Sequence, residues 1–152
     1  MRNCGISAVR AAPAGAYIPW NKAMIQLDTS ALIGSLTGAK LSAPDLDALI
    51  ESGERLAISS LVLYEWLRGP RTPRELAIQE ELLPAESVIP FDAQDAQAAA
   101  EIYRSLPQAR SREIDIAIAA VAIRHEVPLW TLNPKDFEDI PRLRLFRPRG
   151  LR

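Results

Sequence analysis

Residues 24–33 read MIQLDTSALI, a short apolar run that ends on an aspartate followed by two hydroxyl side chains. The run from Met24 to Leu27 has the length and composition of a buried β-strand. TSALIGSL, which follows it, has the composition of a short helix that stops near Gly38. A carboxylate buried at the end of a strand costs several kcal/mol unless it is paired or binds a metal ion. Asp28 is therefore a candidate functional residue, although capping the next helix is an ordinary role for aspartate.

The remainder of the chain alternates between strand and helix patterns. Further strands are predicted at RLAIS (55–59), SVIPF (87–91), VPLWTL (127–132) and LRLF (143–146). Helices are predicted at SAPDLDALIES (42–52), SLVLYEWLRG (60–69), TPRELAIQEELL (72–83), DAQDAQAAAEIYRSL (92–106) and SREIDIAIAAVAIRH (111–125). The last of these has isoleucines at alternate positions, as in a strand, but its length and alanine content favour a helix. This alternation predicts a single α/β domain with a mostly parallel central sheet and helices on both faces.

Three of the predicted helices carry start signals. Thr72 is followed three residues later by Glu75, and Ser42 is followed at the same spacing by Asp45. Thr72 and Glu75 have the pattern of a capping box, in which the two side chains bond each other's backbone amides, and Ser42 is a predicted N-cap. Asp92 is the predicted N-cap of the fourth long helix, which the sequence places at 92–106.

The sequence divides into three parts. Residues 1–23 include AAPAGAYIP, which is rich in small residues and proline, and they predict a poorly structured N-terminal extension. Residues 24–147 contain the predicted domain, and a chain of 152 residues suits one domain with a substantial core. Residues 148–152 predict a short basic C-terminal tail.

Residue counts exclude several classes of site. The chain has one cysteine, Cys4, and one histidine, His125, so a zinc site of about four Cys and His ligands is excluded within one chain. A Ser-His-Asp triad would need His125, whose position at a predicted helix end favours interaction with the last carbonyls instead. Chemistry must then rest mainly on carboxylates, which select hard cations such as Mg²⁺ or Mn²⁺.

The same composition predicts a cytoplasmic protein. A single cysteine cannot form an internal disulfide, which suits a reducing compartment. No apolar stretch approaches the roughly 20 residues that a membrane span needs. The first 23 residues lack the continuous apolar run of a signal peptide.

Positive charge is concentrated in two places, although the net charge is only −1. RLRLFRPRGLR (142–152) contains five arginines and no acid, and Arg104, Arg110 and Arg112 cluster before the Ala-rich helix. Both stretches could follow a phosphate backbone. A solvated surface explains the tail equally well, so both interpretations stay open.

Four acids fall where a parallel sheet would bring them together. Asp28 ends the first strand, and Glu65 lies on the helix after the second. Asp115 lies near the start of the Ala-rich helix, and Asp136 follows a later strand. Ligand sites in open parallel sheets form beyond the carboxyl ends of the strands. Singly, each acid has an ordinary role as a helix cap, a macrodipole partner, an ion-pair partner of Arg68 or a turn residue. Jointly, they favour a metal centre.

From about residue 24 to residue 146 the chain resembles the PIN-domain ribonucleases, and among them the VapC-type toxins of toxin–antitoxin pairs. MIQLDTSALI is similar to the opening strand, acid and hydroxyl of that family. ISSLVLYEWLRG is similar to its second acidic motif, and EIDIAIAAVAIRHEVPLWTLNPKDF to its third motif and tail. Family members usually begin immediately before the first strand, which implies that Met24 is the ancestral start of the chain.

This resemblance implies an endoribonuclease that cleaves RNA phosphodiester bonds with Mg²⁺ or Mn²⁺. It implies that Asp28, Glu65 and Asp115 hold the cation, with Asp136 as a fourth and less constant acid. Four polar residues are implied to support the site or to orient the substrate: Thr29, Ser30, Thr131 and Asn133. Arg110 and Arg112 of the basic cluster become candidate contacts to the RNA backbone.

The resemblance also implies partners. A toxin of this type has a cognate antitoxin, which typically covers the site and neutralises the acids with a basic residue, and the family forms homodimers. The approach to Asp115, PQARSREI, departs from the Gly-rich sequence of related toxins, so the substrate-facing surface is expected to differ from theirs.

Two other functions fit parts of the sequence. A phosphatase- or receiver-like phosphotransfer domain also places an aspartate after a strand, but the phosphatase pattern needs a second Asp where this chain has Ser30. A receiver needs paired acids early in the chain, and Asp28 stands alone in its loop. A catalytically inactive PIN module that only binds is the other alternative, although all three principal acids are present.

Overall fold

The computed structural model describes residues 24–38 and 41–149. This part of the chain contains one parallel sheet in the order β2–β1–β3, formed by β1 (Met24–Leu27), β2 (Arg55–Ala57) and β3 (Leu129–Trp130). Its six α-helices are α1 (Thr29–Leu36), α2 (Ala43–Glu51), α3 (Ser60–Arg68), α4 (Pro73–Leu82), α5 (Ala93–Ser105) and α6 (Glu113–Arg124). The predicted α/β fold with a parallel sheet is confirmed. The predicted extension, residues 1–23, and the end of the basic tail, residues 150–152, lie outside the described residues.

The central strand β1 is covered on both of its faces. Successive side chains of a strand point to opposite faces, and all four residues of β1 are buried. Three of them are apolar, and the fourth is Gln26, whose Nε2 donates a 3.1 Å hydrogen bond to the carbonyl oxygen of Ile118. This bond connects the strand that precedes Asp28 to the middle of α6.

Two predicted strands are reduced to single bridges at the sheet edges, which corrects the sequence prediction. Ile89 makes an isolated parallel bridge with Ser59, and Leu145 makes one with Leu129. Pro90 has no N–H to donate, so the ladder beyond Ile89 is interrupted. Strand β3 is only two residues long and therefore offers little backbone for the segment around Leu145 to pair with.

The three predicted N-cap residues all precede a helix, and two of them form the capping bonds of their side chains. The capping box of Thr72 and Glu75 is formed at α4, and Asp92 caps α5. Ser42 is the N-cap residue of α2, as predicted, but its side chain makes no capping bond. Its buried hydroxyl lies 2.9 Å from the Ser35 hydroxyl and donates to the Ala31 carbonyl instead.

Helix α6 passes through the core of the described domain. Residues 116–122 are all buried, and α6 packs against both α5 and α3. Small alanine side chains at four of these seven positions allow close approach of the neighbouring helices. At the other end of α6, Arg124 donates to the carboxylates of Asp92 and Asp95 at the start of α5. This packing fixes the first turn of α6, which carries Asp115.

None of the helices in residues 24–38 and 41–149 has the length and apolar character that crossing a membrane requires.

Candidate metal centre

Asp28 lies directly after β1 and is the N-cap residue of α1. It is 4% exposed, and the hydrogen bonds that it accepts fall on Oδ2. These come from the Ser30 hydroxyl at 2.7 Å, the Thr131 hydroxyl at 2.9 Å and, more weakly, the Ser30 amide at 3.4 Å. Asp28 can therefore cap α1 and also belong to the acid cluster, because capping uses only one of its two carboxylate oxygens.

The two hydroxyls around Asp28 are themselves oriented by the chain after β3. The amide of Leu132 donates to the Ser30 hydroxyl at 2.9 Å, and the amide of Asn133 donates to the Thr131 hydroxyl at 3.0 Å. A hydroxyl that accepts from an amide can direct its own proton toward a carboxylate. Asn133 therefore contributes through its backbone. Three of the four polar residues singled out in the sequence, Ser30, Thr131 and Asn133, form one connected network at Asp28.

Glu65, on α3, is held by the first residue of α1. Its Oε2 accepts a 2.5 Å hydrogen bond from the Thr29 hydroxyl, and its Oε1 pairs with Arg68 at 3.3 Å. The Glu65 side chain is 17% exposed, whereas the Arg68 side chain is 58% exposed. An ion pair with so exposed a partner is worth at most about 1 kcal/mol. The bond to Thr29 places Glu65 next to the loop that carries Asp28.

Asp115 lies in the first turn of α6, and the charges of the other three acids raise its pKa. Its pKa is raised from 3.8 to about 6, and burial is the largest cause. The negative charges of three carboxylates raise it further, in the order Asp28, Asp136 and Glu65. Arg112 has a smaller, opposite effect. The other three acids predicted from the sequence therefore all lie within electrostatic range of Asp115.

Asp136 ends a short 3₁₀ helix, Pro134–Asp136, and is exposed. It is the most accessible acid of the four, whereas Asp28 is the most deeply buried. The cluster therefore extends from the carboxyl end of the central strand to the surface. Two surface cavities, of about 500 and 450 Å³, lie elsewhere on the domain and are lined by none of these acids.

The acids do not form a ready-made cation cage. Within the part of the chain that the structure describes, no three acidic, histidine or cysteine side chains are placed to hold one metal ion together. Oxygens of Asp28 and Glu65 are instead taken up by hydroxyls and Arg68. The donor set is nevertheless made of the hard oxygen ligands that Mg²⁺ and Mn²⁺ prefer, and its mutual repulsion favours a cation. Binding would use the oxygens that these bonds leave, such as Oδ1 of Asp28, and would require Glu65 to exchange a hydrogen bond for the ion.

The two arginines proposed as backbone contacts differ in their surroundings. Arg110 is exposed. Arg112 is the N-cap residue of α6, and both terminal nitrogens of its guanidinium are bonded within the protein, chiefly to Asp139. Contact with a phosphate therefore remains a prediction for Arg110, and Arg112 is engaged in the protein itself.

His125 is not part of the acid cluster. It is the C-cap residue of α6, at the opposite end of the helix from Asp115. Burial is the main cause that lowers its pKa, although the charges of Asp95 and Asp92 oppose this effect. The sequence predicted that His125 would be a cation at this helix end, whereas burial favours the neutral imidazole.

Comparison with known proteins decides the family. The family model described as PIN domain matches residues 25–143. The chain belongs to the PIN-domain family. It is also 34% identical over 120 residues to Ribonuclease VapC19 of Mycobacterium tuberculosis, an alignment that covers 77% of this chain and 94% of that protein.

Solved structures of the same branch are similar to this PIN domain. One is VapBC2 from Rickettsia felis, solved with a bound DNA fragment from its promoter. It has 25% identity and a TM-score of 0.65, and the match covers 81% of this chain and 97% of that one. Another is VapBC-5 from M. tuberculosis, a member of the VapBC family of toxin–antitoxin systems. It has 26% identity and a TM-score of 0.56, with coverage of 82% and 98%. The resemblance to VapC-type toxins stated from the sequence is confirmed.

One residue of this PIN domain that contacts the site was not singled out from the sequence. Asp139 binds the Arg112 guanidinium, which also donates to the backbone of Asp136. Its signal was available in KDFED (135–139), where Glu138 and Asp139 follow Asp136 at spacings of two and three residues. Such spacings are too common on protein surfaces to indicate a role without knowledge of the partner.

Proposed function

We propose that this protein is a metal-dependent endoribonuclease, the toxin of a VapC-type toxin–antitoxin pair. The observation that carries the proposal is the convergence of four carboxylates at the carboxyl end of the central strand of a PIN domain. The similarity to a ribonuclease over 94% of that protein's length supports the activity. The family membership favours this function over a phosphotransfer domain, and an activity assay separates it from an inactive binding module.

In this proposal Asp28, Glu65 and Asp115 hold Mg²⁺ or Mn²⁺, and Asp136 completes the site from the surface side. The bound cation would supply Lewis-acid stabilisation of the phosphoryl oxygens and a more acidic water. The residues of this chain contribute the rest. Oδ1 of Asp28 is the oxygen left for the ion, because the hydroxyls of Ser30 and Thr131 hold Oδ2.

The test is RNA cleavage by purified protein in manganese. We expect cleavage of single-stranded RNA that EDTA abolishes and that excess Mn²⁺ restores. The Asp115→Asn variant, purified in parallel, should give no cleavage above background, because it removes a ligand while preserving side-chain volume. Equal cleavage by wild type and variant would assign the activity to a contaminant or to another site.

The hydroxyl network gives a more graded expectation. Thr131→Val preserves shape and removes the 2.9 Å hydrogen bond to Asp28. Loss of such a supporting bond typically reduces metal affinity or activity about 10–100-fold. We expect the Mn²⁺ concentration for half-maximal cleavage to rise by this factor. Ser87→Ala, which removes an exposed hydroxyl bonded only to a neighbouring carbonyl, is the matched control and should leave it unchanged.

The proposed function implies partners as well as a substrate. A cognate antitoxin that covers the acids with a basic residue suits the site, because its most accessible acid, Asp136, is exposed. We also propose a cytoplasmic homodimer. Tyr64 and Leu67 on α3, which are 57% and 56% exposed, offer apolar surface for contact, whereas the neighbouring Trp66 is fully buried and is part of the core.

A further inference from the structure

Arg112 lies at the meeting point of three chain segments around the acid cluster. Its Nη1 donates to the carbonyl of Gln108 at 3.0 Å, in the loop after α5. Its Nη2 donates to the carbonyl of Asp136 at 2.7 Å, at the end of the 3₁₀ helix. Arg112 itself begins the helix that carries Asp115 three residues later. One guanidinium thus connects the backbone of one cluster acid to the helix of another.

Asp139 holds the guanidinium in this position. Its two carboxylate oxygens accept from the two terminal nitrogens of Arg112, at 2.8 Å and 2.5 Å. Such a paired geometry fixes the plane of the guanidinium and cannot be made by lysine. The Arg112 side chain is 17% exposed, so the pair is partly shielded from solvent screening. The hydrogen bond from Arg112 also lowers the pKa of Asp139, which keeps that carboxylate charged.

These contacts leave Arg112 poorly placed to bind a phosphate. A phosphate-binding arginine presents its terminal N–H groups to the ligand. In Arg112 both terminal nitrogens already bond Asp139 and a backbone carbonyl, and Nε is buried without a hydrogen-bond partner among the described residues. Arg110, two residues earlier, is exposed and takes no part in this set of contacts.

We propose that Arg112 is a positioning residue: together with Asp139 it holds Asp136 beside the first turn of α6, so that Asp136 and Asp115 face the same cation. This inference rests on the proposed function. It assigns Arg112 and Asp139 to one unit that acts on the cation site through the backbone of Asp136. It also separates Arg112 from the rest of the basic cluster, in which Arg110 stays the candidate contact to the RNA backbone.

The experiment measures two quantities, the Mn²⁺ affinity of the RNA-free protein by calorimetry and the steady-state constants for RNA cleavage. Arg112→Lys retains the charge and loses the paired geometry, and Asp139→Asn removes the carboxylate partner. We expect each variant to weaken Mn²⁺ binding about 10–100-fold and to lower kcat, with little change in the KM for RNA. The double variant should be no worse than the more affected single variant, because residues of one unit are not additive.

Arg110→Gln is the matched control. It should leave Mn²⁺ affinity unchanged, raise the KM for RNA and reduce the salt dependence of binding by about one counterion. The inference is overturned if Arg112→Lys behaves as this control does, or if Asp139→Asn binds Mn²⁺ as well as the wild type. Unfolding curves for all variants test whether Arg112 and Asp139 only stabilise the fold. In that case the variants would lower the free energy of unfolding without changing Mn²⁺ affinity.

The two proposals can fail separately. If the wild type cuts no RNA but the variants weaken Mn²⁺ binding as expected, the positioning role stands and the ribonuclease function fails. If the wild type cuts RNA and the variants retain full Mn²⁺ affinity, only the positioning role fails. A wild type that binds no Mn²⁺ overturns both.

Discussion

Asp28→Asn should abolish most RNA cleavage while leaving the fold intact. Asparagine is as good an N-cap as aspartate, and its carbonyl oxygen can accept the bonds that Ser30 and Thr131 now give to Oδ2. The amide nitrogen would then occupy the position of Oδ1, where it cannot bind a cation. Losing one ligand removes several kcal/mol of transition-state stabilisation, which corresponds to a rate loss on the order of 1,000-fold.

Stability separates the two roles of Asp28. We expect the free energy of unfolding of Asp28→Asn to stay within about 1 kcal/mol of the wild type, because the cap is retained. Asp47→Asn, at an exposed position on α2, is the control and should change neither activity nor stability. Cleavage within tenfold of the wild type would mean that Asp28 serves α1 as a cap and does not hold the ion.

Asp115→Asn should stabilise the metal-free protein at neutral pH while it removes the activity. The folded-state pKa of Asp115 is raised to about 6 from 3.8 by burial and by the neighbouring acids. A raised pKa means that the folded state binds the proton more tightly than the unfolded state does. The stabilisation that protonated Asp115 gives the folded state is therefore fully present below about pH 4 and is lost as the pH rises through 6.

The size of this effect follows from the shift and from solvent screening. Two pKa units correspond to roughly 2.7 kcal/mol, and the half-exposed position of Asp115 reduces this to about 1–2 kcal/mol. The charge also interacts favourably with the start of α6, by about 0.3–1 kcal/mol, so the destabilising effect is the larger. Urea unfolding in EDTA should show the variant more stable by about 1 kcal/mol at pH 7.5 and equal to the wild type near pH 4.

Metal should reverse the order of stability. Mn²⁺ at about 100 times its dissociation constant adds roughly 2.7 kcal/mol to a protein that binds it only when folded. We expect this gain in the wild type and its absence in Asp115→Asn, so that the wild type becomes the more stable protein at neutral pH. A difference in unfolding free energy that does not change with pH or Mn²⁺ would contradict the placement of Asp115 among like charges.

Much of the fold could be predicted from neighbouring residues alone. The Thr72 and Glu75 capping box involves residues three apart, and the Ala-rich pattern of α6 is a property of one continuous segment. The family's order of motifs identified Asp28, Glu65, Asp115 and Asp136 before any geometry was known. The strands at 87–91 and 143–146 could not be judged in this way, because a strand exists only if its neighbour offers backbone to pair with.

The sequence by itself determined the α/β alternation, the residues that precede the helices, the family and the choice of the four acids as candidates. These depend on local periodicity, on bonds between residues a few positions apart, and on motifs that are read in order. Only the tertiary structure decided that Ser42 bonds Ser35 and Ala31 and that Arg112 bonds Asp139. A polar side chain takes the best partners within reach after packing, and those partners lie up to 27 residues away along the chain.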